Sequence, residues 1–205
     1  MERVVELGGK VGEGYLGGGE WTGKEFEKAD HYLSYGEINK IVKRELTKRF
    51  PMYSFKTRGQ SYSVGQSSCC YIQMKQEDLF IDRETAIKKL MENLCWNGWH
   101  GYVDEDGQYH NVWGEEFFKS PELIEKCCAY RYDDIVSRYS IDCYNVPEEM
   151  LTEKAKEVYT MAKDLYLSFI HDETNSMVDY FDRNLYDDYK FCNLTNIDKK
   201  ESWEV

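Results

Sequence analysis

Long apolar runs are missing from this 205-residue sequence. No stretch of roughly 18 consecutive apolar residues occurs in it, so we expect no transmembrane helix. The opening sequence, Met-Glu-Arg-Val-Val-Glu-Leu-Gly-Gly-Lys, also lacks the apolar core of a secretory signal peptide. The sequence therefore predicts a cytoplasmic protein with no membrane partner.

Cysteine patterns typical of metal sites are missing as well. The sequence has seven cysteines, and none of them forms a Cys-x-x-Cys motif. In a cytoplasmic protein we expect them to be reduced thiols. Cys95, His100 and His110 are a candidate set of metal ligands, but their spacing fits no compact zinc pattern, and aromatic packing with hydrogen bonding is favoured. We therefore predict no metal and no cofactor.

A complete phosphate-binding loop is also missing, although two partial matches occur near the N-terminus. Residues 12–17 match Gly-x-Gly-x-x-Gly, and residues 18–24 match a Walker A loop in which Glu25 replaces the serine or threonine. Such a loop needs that hydroxyl to hold magnesium and a buried strand leading into it. Residues 3–7 are a candidate strand before this segment, but their sequence does not indicate a buried strand. We interpret the glycine-rich segment as a flexible loop or a hairpin.

The chain has enough apolar and aromatic side chains to form a core. Hydrophobic residues make up 41% of it and aromatic residues 15%, which excludes wholesale disorder. The net charge of −12 is distributed unevenly. Residues 1–96 carry 15 basic and 14 acidic side chains, whereas residues 97–205 carry 11 and 24. The two ends of the sequence are therefore suited to different kinds of partner.

Apolar side chains at helical spacing predict three main helices, near residues 36–50, 83–95 and 147–171. Pro51 ends the first of these helices and Asp82 caps the second. Asn145 is a candidate cap for the third, with Pro147 in its first turn. A shorter helix is predicted to begin at Ser120-Pro121.

Strand signals complete the predicted α+β fold. Strands are predicted at residues 53–58, 70–74 and 139–144 and on both sides of the turn Asp106-Gly107. The polar residues 58–68 are interpreted as a loop between two strands. We expect a single domain with a mixed or antiparallel sheet packed by about three helices. The predicted divisions are a glycine-rich extension at 1–30, an α+β domain at 31–192 and a polar tail at 193–205.

A basic segment stands out in this acidic chain. Between residues 40 and 58 there are seven basic residues and one acidic residue, Glu45. Phosphate contacts by these side chains would give binding that weakens steeply with salt, whereas the alternative is an ordinary solvated helix face. The candidate nucleic-acid-binding residues are Lys40, Lys43, Arg44, Lys48, Lys56 and Arg58.

An acidic, aromatic segment lies near the C-terminus. Clustered carboxylates can bind hard cations or have raised pKa values, but no histidine, serine or cysteine stands at a suitable partner spacing. The interleaved tyrosines and phenylalanines favour a segment that docks on the core and presents an acidic surface to a partner. The candidate partner-binding residues are Asp172, Glu173, Asp179, Asp182, Asp187 and Asp188.

Catalysis is a weaker hypothesis. A nuclease or an effector-modifying enzyme would use His100, His110 or His171 with the aspartates of residues 172–188. Acid–base chemistry requires a defined geometry between such groups, and the sequence supplies none. We therefore predict no catalytic residues.

Two segments resemble a family found in mobile genetic elements. Residues 38–58, Ile-Asn-Lys-Ile-Val-Lys-Arg-Glu-Leu-Thr-Lys-Arg-Phe-Pro-Met-Tyr-Ser-Phe-Lys-Thr-Arg, resemble the opening of the large polyvalent protein-associated domain 29 family. Residues 172–186, Asp-Glu-Thr-Asn-Ser-Met-Val-Asp-Tyr-Phe-Asp-Arg-Asn-Leu-Tyr, resemble its closing aspartate–tyrosine–phenylalanine block. The middle of the chain diverges, and the glycine-rich N-terminus is an addition. The resemblance implies an accessory role in a phage or plasmid, beside antirestriction, methylase and helicase modules.

These observations lead to two main expectations about function. The first is a non-catalytic inhibitor of a bacterial nucleic-acid-targeting defence system, with an anti-CRISPR protein as the leading instance. Its acidic half would occupy a basic channel of a defence nuclease or of its ribonucleoprotein complex. The alternative is an accessory module that binds guide RNA or DNA through the basic helix 40–49 and the strand 53–58.

Overall fold

The structure is a computed structural model that describes residues 4–12, 20–63, 65–93, 100–112, 118, 120–172 and 183–200. Its helices are α1 (Lys24–Glu27), α2 (Tyr35–Arg49), α3 (Gln76–Leu79), α4 (Arg83–Glu92), α5 (Pro121–Ser137) and α6 (Glu153–Leu167). Its strands are β1 (Gly9–Gly12), β2 (Glu20–Gly23), β3 (Ser54–Tyr62), β4 (Gly65–Met74), β5 (His100–Val103), β6 (Tyr109–Val112), β7 (Ser140–Asp142), β8 (His171–Asp172) and β9 (Tyr186–Asn193). None of the helices in these ranges combines the length and the apolar sequence that crossing a bilayer requires. The predicted α+β class is confirmed.

The chain forms two compact units, each assembled from separate segments. The first unit takes residues from 1–73 and 157–190, and the second takes residues from 74–156 and 191–204. The predicted boundaries at residues 30 and 192 stay predictions.

Helix α2 of the first unit starts at a capping box, in which Glu37 N donates to Ser34 Oγ at 3.3 Å and Ser34 N donates to Glu37 Oε2 at 3.0 Å. Hydrogen bonds from Ser34 lower the pKa of Glu37 to about 2. The helix ends at Arg49, just before Pro51, so the predicted helix at 36–50 is confirmed. The buried residues of its inner side are Ile38, Asn39, Val42, Glu45 and Leu46.

Strands β3 and β4 form a continuous antiparallel hairpin of nine residue pairs. Both predicted strands are confirmed, but the predicted polar loop at 58–68 is wrong, because the strands continue through it. The chain tolerates polar residues here because they find partners. Gln66 is buried, and its side chain accepts a hydrogen bond from Tyr35 N at 2.6 Å and donates one to Leu33 O at 2.9 Å.

In the first unit, β4 lies between β3 and β9. One side of this sheet packs against α2 and α6. On that side the fully buried Tyr166 donates a hydrogen bond to Asn39 Oδ1 at 2.7 Å, and the ring of Tyr189 packs edge-on against Tyr166. We call this helix-covered side the inner face and the opposite side the outer face. Successive strand residues alternate between the two faces.

Strands β1, β2 and β8 form a second antiparallel sheet in the first unit. Of the two alternatives predicted for the glycine-rich segment, a flexible loop or a hairpin, the pairing of β1 with β2 supports the hairpin. Its first strand is Gly9–Gly12, and residues 4–7 are not a strand. Gly23 is needed where β2 approaches the chain after α6, because a Cβ there would lie 2.2 Å from Ser168 O. Residues 13–19, which carry most of the two phosphate-loop patterns, lie outside the described residues.

In the second unit, α4 packs against α5, which also contacts the β5–β6 hairpin. Helix α4 starts where predicted, with Thr85 N donating to Asp82 Oδ1 at 3.0 Å, and it is assigned as far as Glu92. Helix α5 starts at the predicted Ser120-Pro121 signal, with Leu123 N donating to Ser120 Oγ at 3.3 Å. The two strands predicted around Asp106-Gly107 are confirmed as β5 and β6.

The third predicted helix, at 147–171, is confirmed only over 153–167. The segment before it forms two short 3₁₀ turns, Cys143–Asn145 and Glu148–Met150, and Leu151 then pairs with Phe80 in a β-bridge. The local cap signal at Asn145 is therefore overridden by pairing with a distant segment. Thr152 caps α6 instead, through a hydrogen bond from Ala155 N to its Oγ1 at 3.1 Å.

Two further predicted segments differ in extent. The strand predicted at 139–144 is limited to β7, which lies beside the end of β9, where Asn193 N donates to Tyr139 O at 2.7 Å. Part of the predicted polar tail is ordered as a 3₁₀ helix, Leu194–Lys199, in which Asn196 Nδ2 donates to Val136 O at 2.7 Å.

Candidate functional site

Two of the predicted acidic partner-binding residues, Asp172 and Asp187, form ion pairs with Arg183. Arg183 lies 3.3 Å from Asp172 and 2.6 Å from Asp187, and the Asp187 side chain is only 12% exposed. Tyr189 OH also donates to Asp187 at 2.5 Å. These carboxylates join β8 to the start of β9, so their described contacts are structural. Glu173, Asp179 and Asp182 lie outside the described residues.

Asp188 is placed differently, on the outer face beside Cys69. Burial raises the pKa of the Cys69 thiol to about 12, and the negative charge of Asp188 adds to that effect. A thiol that stays protonated at neutral pH is a poor nucleophile. The pair therefore offers a surface carboxylate next to an inert thiol.

The six predicted basic residues do not share one surface. On α2 the cations of Lys40, Lys43, Arg44 and Lys48 are exposed on the side away from the sheet. On β3, Gly59 lies on the inner face, where it approaches Tyr35 of α2. Because successive strand residues alternate between the faces, Lys56 and Arg58 lie on the outer face. The helix and the strand therefore present their charge in opposite directions.

The described histidine contacts place His171 and His110 in separate local environments. The ring of His171 stacks on Phe26 with centroids 4.7 Å apart, and its Nδ1 lies 3.1 Å from Thr22 Oγ1. His110 pairs with a carboxylate of the β5–β6 hairpin instead. Of the candidate metal ligands Cys95, His100 and His110, the structure describes only the side chain of His110.

Asp104 organises the turn of the β5–β6 hairpin. Its Oδ1 accepts hydrogen bonds from Asp106 N at 3.0 Å and Gln108 N at 2.8 Å, while its Oδ2 lies 2.6 Å from His110 Nε2. The hydrogen bonds from His110 and Gln108 lower the pKa of Asp104. Gly107, with φ +80°, supplies the left-handed residue of the turn.

A groove of about 620 Å³ lies between this hairpin and helices α4 and α5 of the second unit. We call it the hairpin groove. Its ion pair of Arg83 with Asp133 has two hydrogen bonds of 2.8 Å, and Lys126 lies 5.7 Å from the ring centroid of Tyr102. The lining residues are Arg83, Tyr102, Val103, Asp104, Glu105, Asp106, His110, Lys126, Ala129, Tyr130 and Asp133.

The hairpin groove combines carboxylates with aromatic rings. Four acidic and two basic side chains line it, and Glu105 and Asp106 at its rim are exposed. Tyr102 stacks on His110, and Tyr130 contacts Tyr109 with ring centroids 5.7 Å apart. Among the described lining residues there is no serine, threonine or cysteine, so none of them stands as a nucleophile beside the His110–Asp104 pair. The arrangement is suited to binding cationic groups.

Sequence reasoning missed the hairpin groove because its walls come from three separate segments. The local sequence pattern indicates only a turn at Asp106-Gly107. The signal that was available is the interleaving of acidic residues with tyrosines at residues 102–109.

Comparison of the chain with protein-family models, with curated proteins and with solved structures found no match. The resemblance to the large polyvalent protein-associated domain 29 family therefore rests on the two sequence motifs alone.

Proposed function

We propose that this chain is a non-catalytic inhibitor of a bacterial nucleic-acid-targeting defence system, acting in the host cytoplasm, with an anti-CRISPR protein as the leading instance. The observation that carries the proposal is the hairpin groove of about 620 Å³, in which the exposed carboxylates of Glu105 and Asp106 lie with two tyrosines. The other two carboxylates of the lining are already paired, Asp104 with His110 and Asp133 with Arg83. The groove's partner is a basic surface of a defence nuclease or of its ribonucleoprotein complex.

Charge supports this choice of partner. The described residues of the second unit include 11 basic and 17 acidic side chains, a balance of −6. Such a surface speeds the approach of a basic partner and disfavours anionic ones. Because an arginine can pair with carboxylates and stack on tyrosine, both kinds of lining residue in the hairpin groove can engage one guanidinium.

The mobile-element resemblance supports the choice of a defence system. Phage and plasmid accessory proteins meet host enzymes whose nucleic-acid channels are strongly basic. A folded acidic surface can occupy such a channel by charge complementarity. The described groove lining offers no serine, threonine or cysteine nucleophile, and burial raises the pKa of the Cys69 thiol. Both observations support inhibition by binding over chemical modification.

A pull-down from cells that express candidate restriction and CRISPR effectors tests the proposal. We expect tagged protein to retain an effector after nuclease treatment, and the double variant Glu105→Gln/Asp106→Asn to retain about tenfold less. The backbone of the turn is unaffected, since Asp104 accepts main-chain hydrogen bonds.

The matched control is Glu148→Gln/Glu149→Gln, which removes the same charge from adjacent residues outside the groove. Equal loss in both variants would show that bulk charge, rather than the groove, is responsible. Capture that disappears on nuclease treatment would remove the inhibitor proposal.

Nucleic-acid binding through α2 is the second candidate function. The observation that favours it is the exposure of Lys40, Lys43, Arg44 and Lys48 along one side of the helix. Only these four of the six basic candidates can contact one phosphate backbone together, because Lys56 and Arg58 face the other way.

A further inference from the structure

The outer face of the β3–β4–β9 sheet carries an ordered set of side chains that belongs neither to the hairpin groove nor to α2. Lys56, Arg58 and Asp188 of the predicted site residues are part of it. Strand register places Lys56 opposite Tyr71 and Arg58 opposite Cys69. Gln60 is opposite Ser67 in the same register. The outer-face residues are Lys56, Arg58, Gln60, Tyr62, Ser67, Cys69, Tyr71, Tyr186, Asp188 and Lys190.

Electrostatic contacts confirm that these side chains share one face. Asp188 and Lys190 of β9 both act on the thiol of Cys69, with opposite effects on its pKa. Burial, followed by the nearby Cys69, raises the pKa of Tyr71 to about 12, while Arg58 and Lys190 act against that rise. Tyr71 therefore lies between two cations, one from each neighbouring strand.

The aromatic rings of this face are accessible. Tyr62 is 50% exposed and Tyr186 is 43% exposed. Tyr62 OH lies 3.1 Å from Ser67 Oγ, and Arg183 lies 5.7 Å from the ring centroid of Tyr186. Both rings are thus held in place from one side while solvent reaches them from the other.

A shallow cavity of about 450 Å³ lies beside Tyr186 on this face. The small side chains of Ser67 and Cys69 on the central strand form its floor. Its other lining residues include Arg58, Gln60, Asp187 and Asp188. The cavity therefore offers a cation, an amide and the carboxylate of Asp188 around a space open to solvent, while the carboxylate of Asp187 is paired with Arg183.

We infer that the outer face binds single-stranded nucleic acid. Flat, exposed rings stack on unpaired bases, and cations on both flanking strands neutralise phosphates. Among the outer-face residues the three cations outnumber the one carboxylate, Asp188, although the whole chain carries a charge of −12. Asp187, which also lines the cavity, is neutralised by Arg183. Charge complementarity therefore selects an anionic occupant, and the tyrosines select one with free aromatic faces.

The amide of Gln60 and the carboxylate of Asp188 add hydrogen-bonding groups for the edges of stacked bases. Sheet faces with a few exposed rings typically stack two or three bases. A duplex cannot use this arrangement, because its bases are already paired and stacked inside. The site is independent of the hairpin groove, since all of its residues belong to the first unit.

Fluorescence anisotropy with labelled oligonucleotides of about ten nucleotides tests the inference directly. The probes are a single-stranded RNA, the same sequence as single-stranded DNA, and the RNA as a duplex. We expect either single strand to bind at least about tenfold more tightly than the duplex. Tighter binding of the single-stranded RNA than of the single-stranded DNA would indicate a contact with the 2′-hydroxyl.

Variants separate stacking from charge. Tyr62→Leu/Tyr186→Leu should weaken single-strand binding about tenfold or more and leave its salt dependence unchanged. Lys56→Gln/Arg58→Gln should reduce the slope of log K against log salt by about 1.4, because each phosphate contact on a single strand contributes about 0.7.

Matched controls make the test decisive. Lys88→Gln/Lys89→Gln removes two exposed cations from α4, which belong to neither nucleic-acid-binding candidate, and should leave affinity and slope unchanged. Glu105→Gln/Asp106→Asn in the hairpin groove should also leave single-strand affinity and its salt slope unchanged. Failure of the nucleic-acid inference is therefore distinguishable from failure of the inhibitor proposal. An equal effect of the α4 variant, an unaffected tyrosine variant, or equally tight binding of the duplex or of a polyglutamate peptide would each overturn the inference.

Discussion

Leu46→Ala should lower the free energy of unfolding by about 2–5 kcal/mol. Leu46 is fully buried on the inner side of α2, where it packs toward the β3–β4–β9 sheet. The loss combines the hydrophobic transfer of the deleted atoms with the cavity that they leave. Chemical denaturation followed by circular dichroism measures it.

Lys43→Ala is the matched control on the same helix, because Lys43 is exposed. It should change the free energy of unfolding by less than about 0.5 kcal/mol. An equal decrease in the free energy of unfolding for the two variants would contradict the burial of Leu46 against the sheet.

Arg183→Met should lower the free energy of unfolding by about 2–4 kcal/mol. The Arg183 side chain is 26% exposed, and its partners Asp172 and Asp187 are 21% and 12% exposed. Removing one partner from a largely buried ion pair leaves uncompensated charge, and here two carboxylates lose the same cation. Adding Asp187→Asn to Arg183→Met removes one of the two uncompensated carboxylates and should recover part of the lost free energy of unfolding.

Arg138→Met offers a control of the same chemistry. Arg138 pairs with Asp134 at 2.5 Å with i,i+4 spacing, but its side chain is 56% exposed. An exposed pair of this kind contributes about 0–1 kcal/mol. If both arginine variants cost the same, Asp172 and Asp187 are surface groups and become partner-binding candidates again.

Helix α2 was predictable because its signals are local and agree with each other. The apolar spacing from Ile38 to Leu46 and the stop at Pro51 all lie within the helix or next to it. The start of α6 was not predictable in this way. Its true cap is Thr152, because backbone pairing of Leu151 with Phe80 competes with a helix beginning at Pro147.

The β3–β4 hairpin was predicted too short for a different reason. Residues 59–61 are polar and begin with glycine, so they resemble a loop. In the structure they alternate between a helix-covered inner face and an outer face that has no need of apolar side chains. A strand with polar residues on one side gives only a weak periodic signal.

The candidate sites were the least predictable part. Asp172 and Asp187 were recognised as acidic, but their charge says nothing about the geometry with which Arg183 holds them. The hairpin groove depends on contacts between α4, α5 and β5–β6, which are far apart in sequence. Pairing of that kind is set by tertiary packing and leaves no local pattern.

The most direct test of the proposed function is a titration of target cleavage by a purified defence effector with this protein. Binding without catalysis predicts that inhibition is complete near one equivalent and does not deepen with time. The Glu105→Gln/Asp106→Asn variant should require about tenfold more protein. Inhibition that progresses at a small fraction of one equivalent would show turnover, and an unaffected cleavage rate at excess protein with every candidate effector would contradict the proposal.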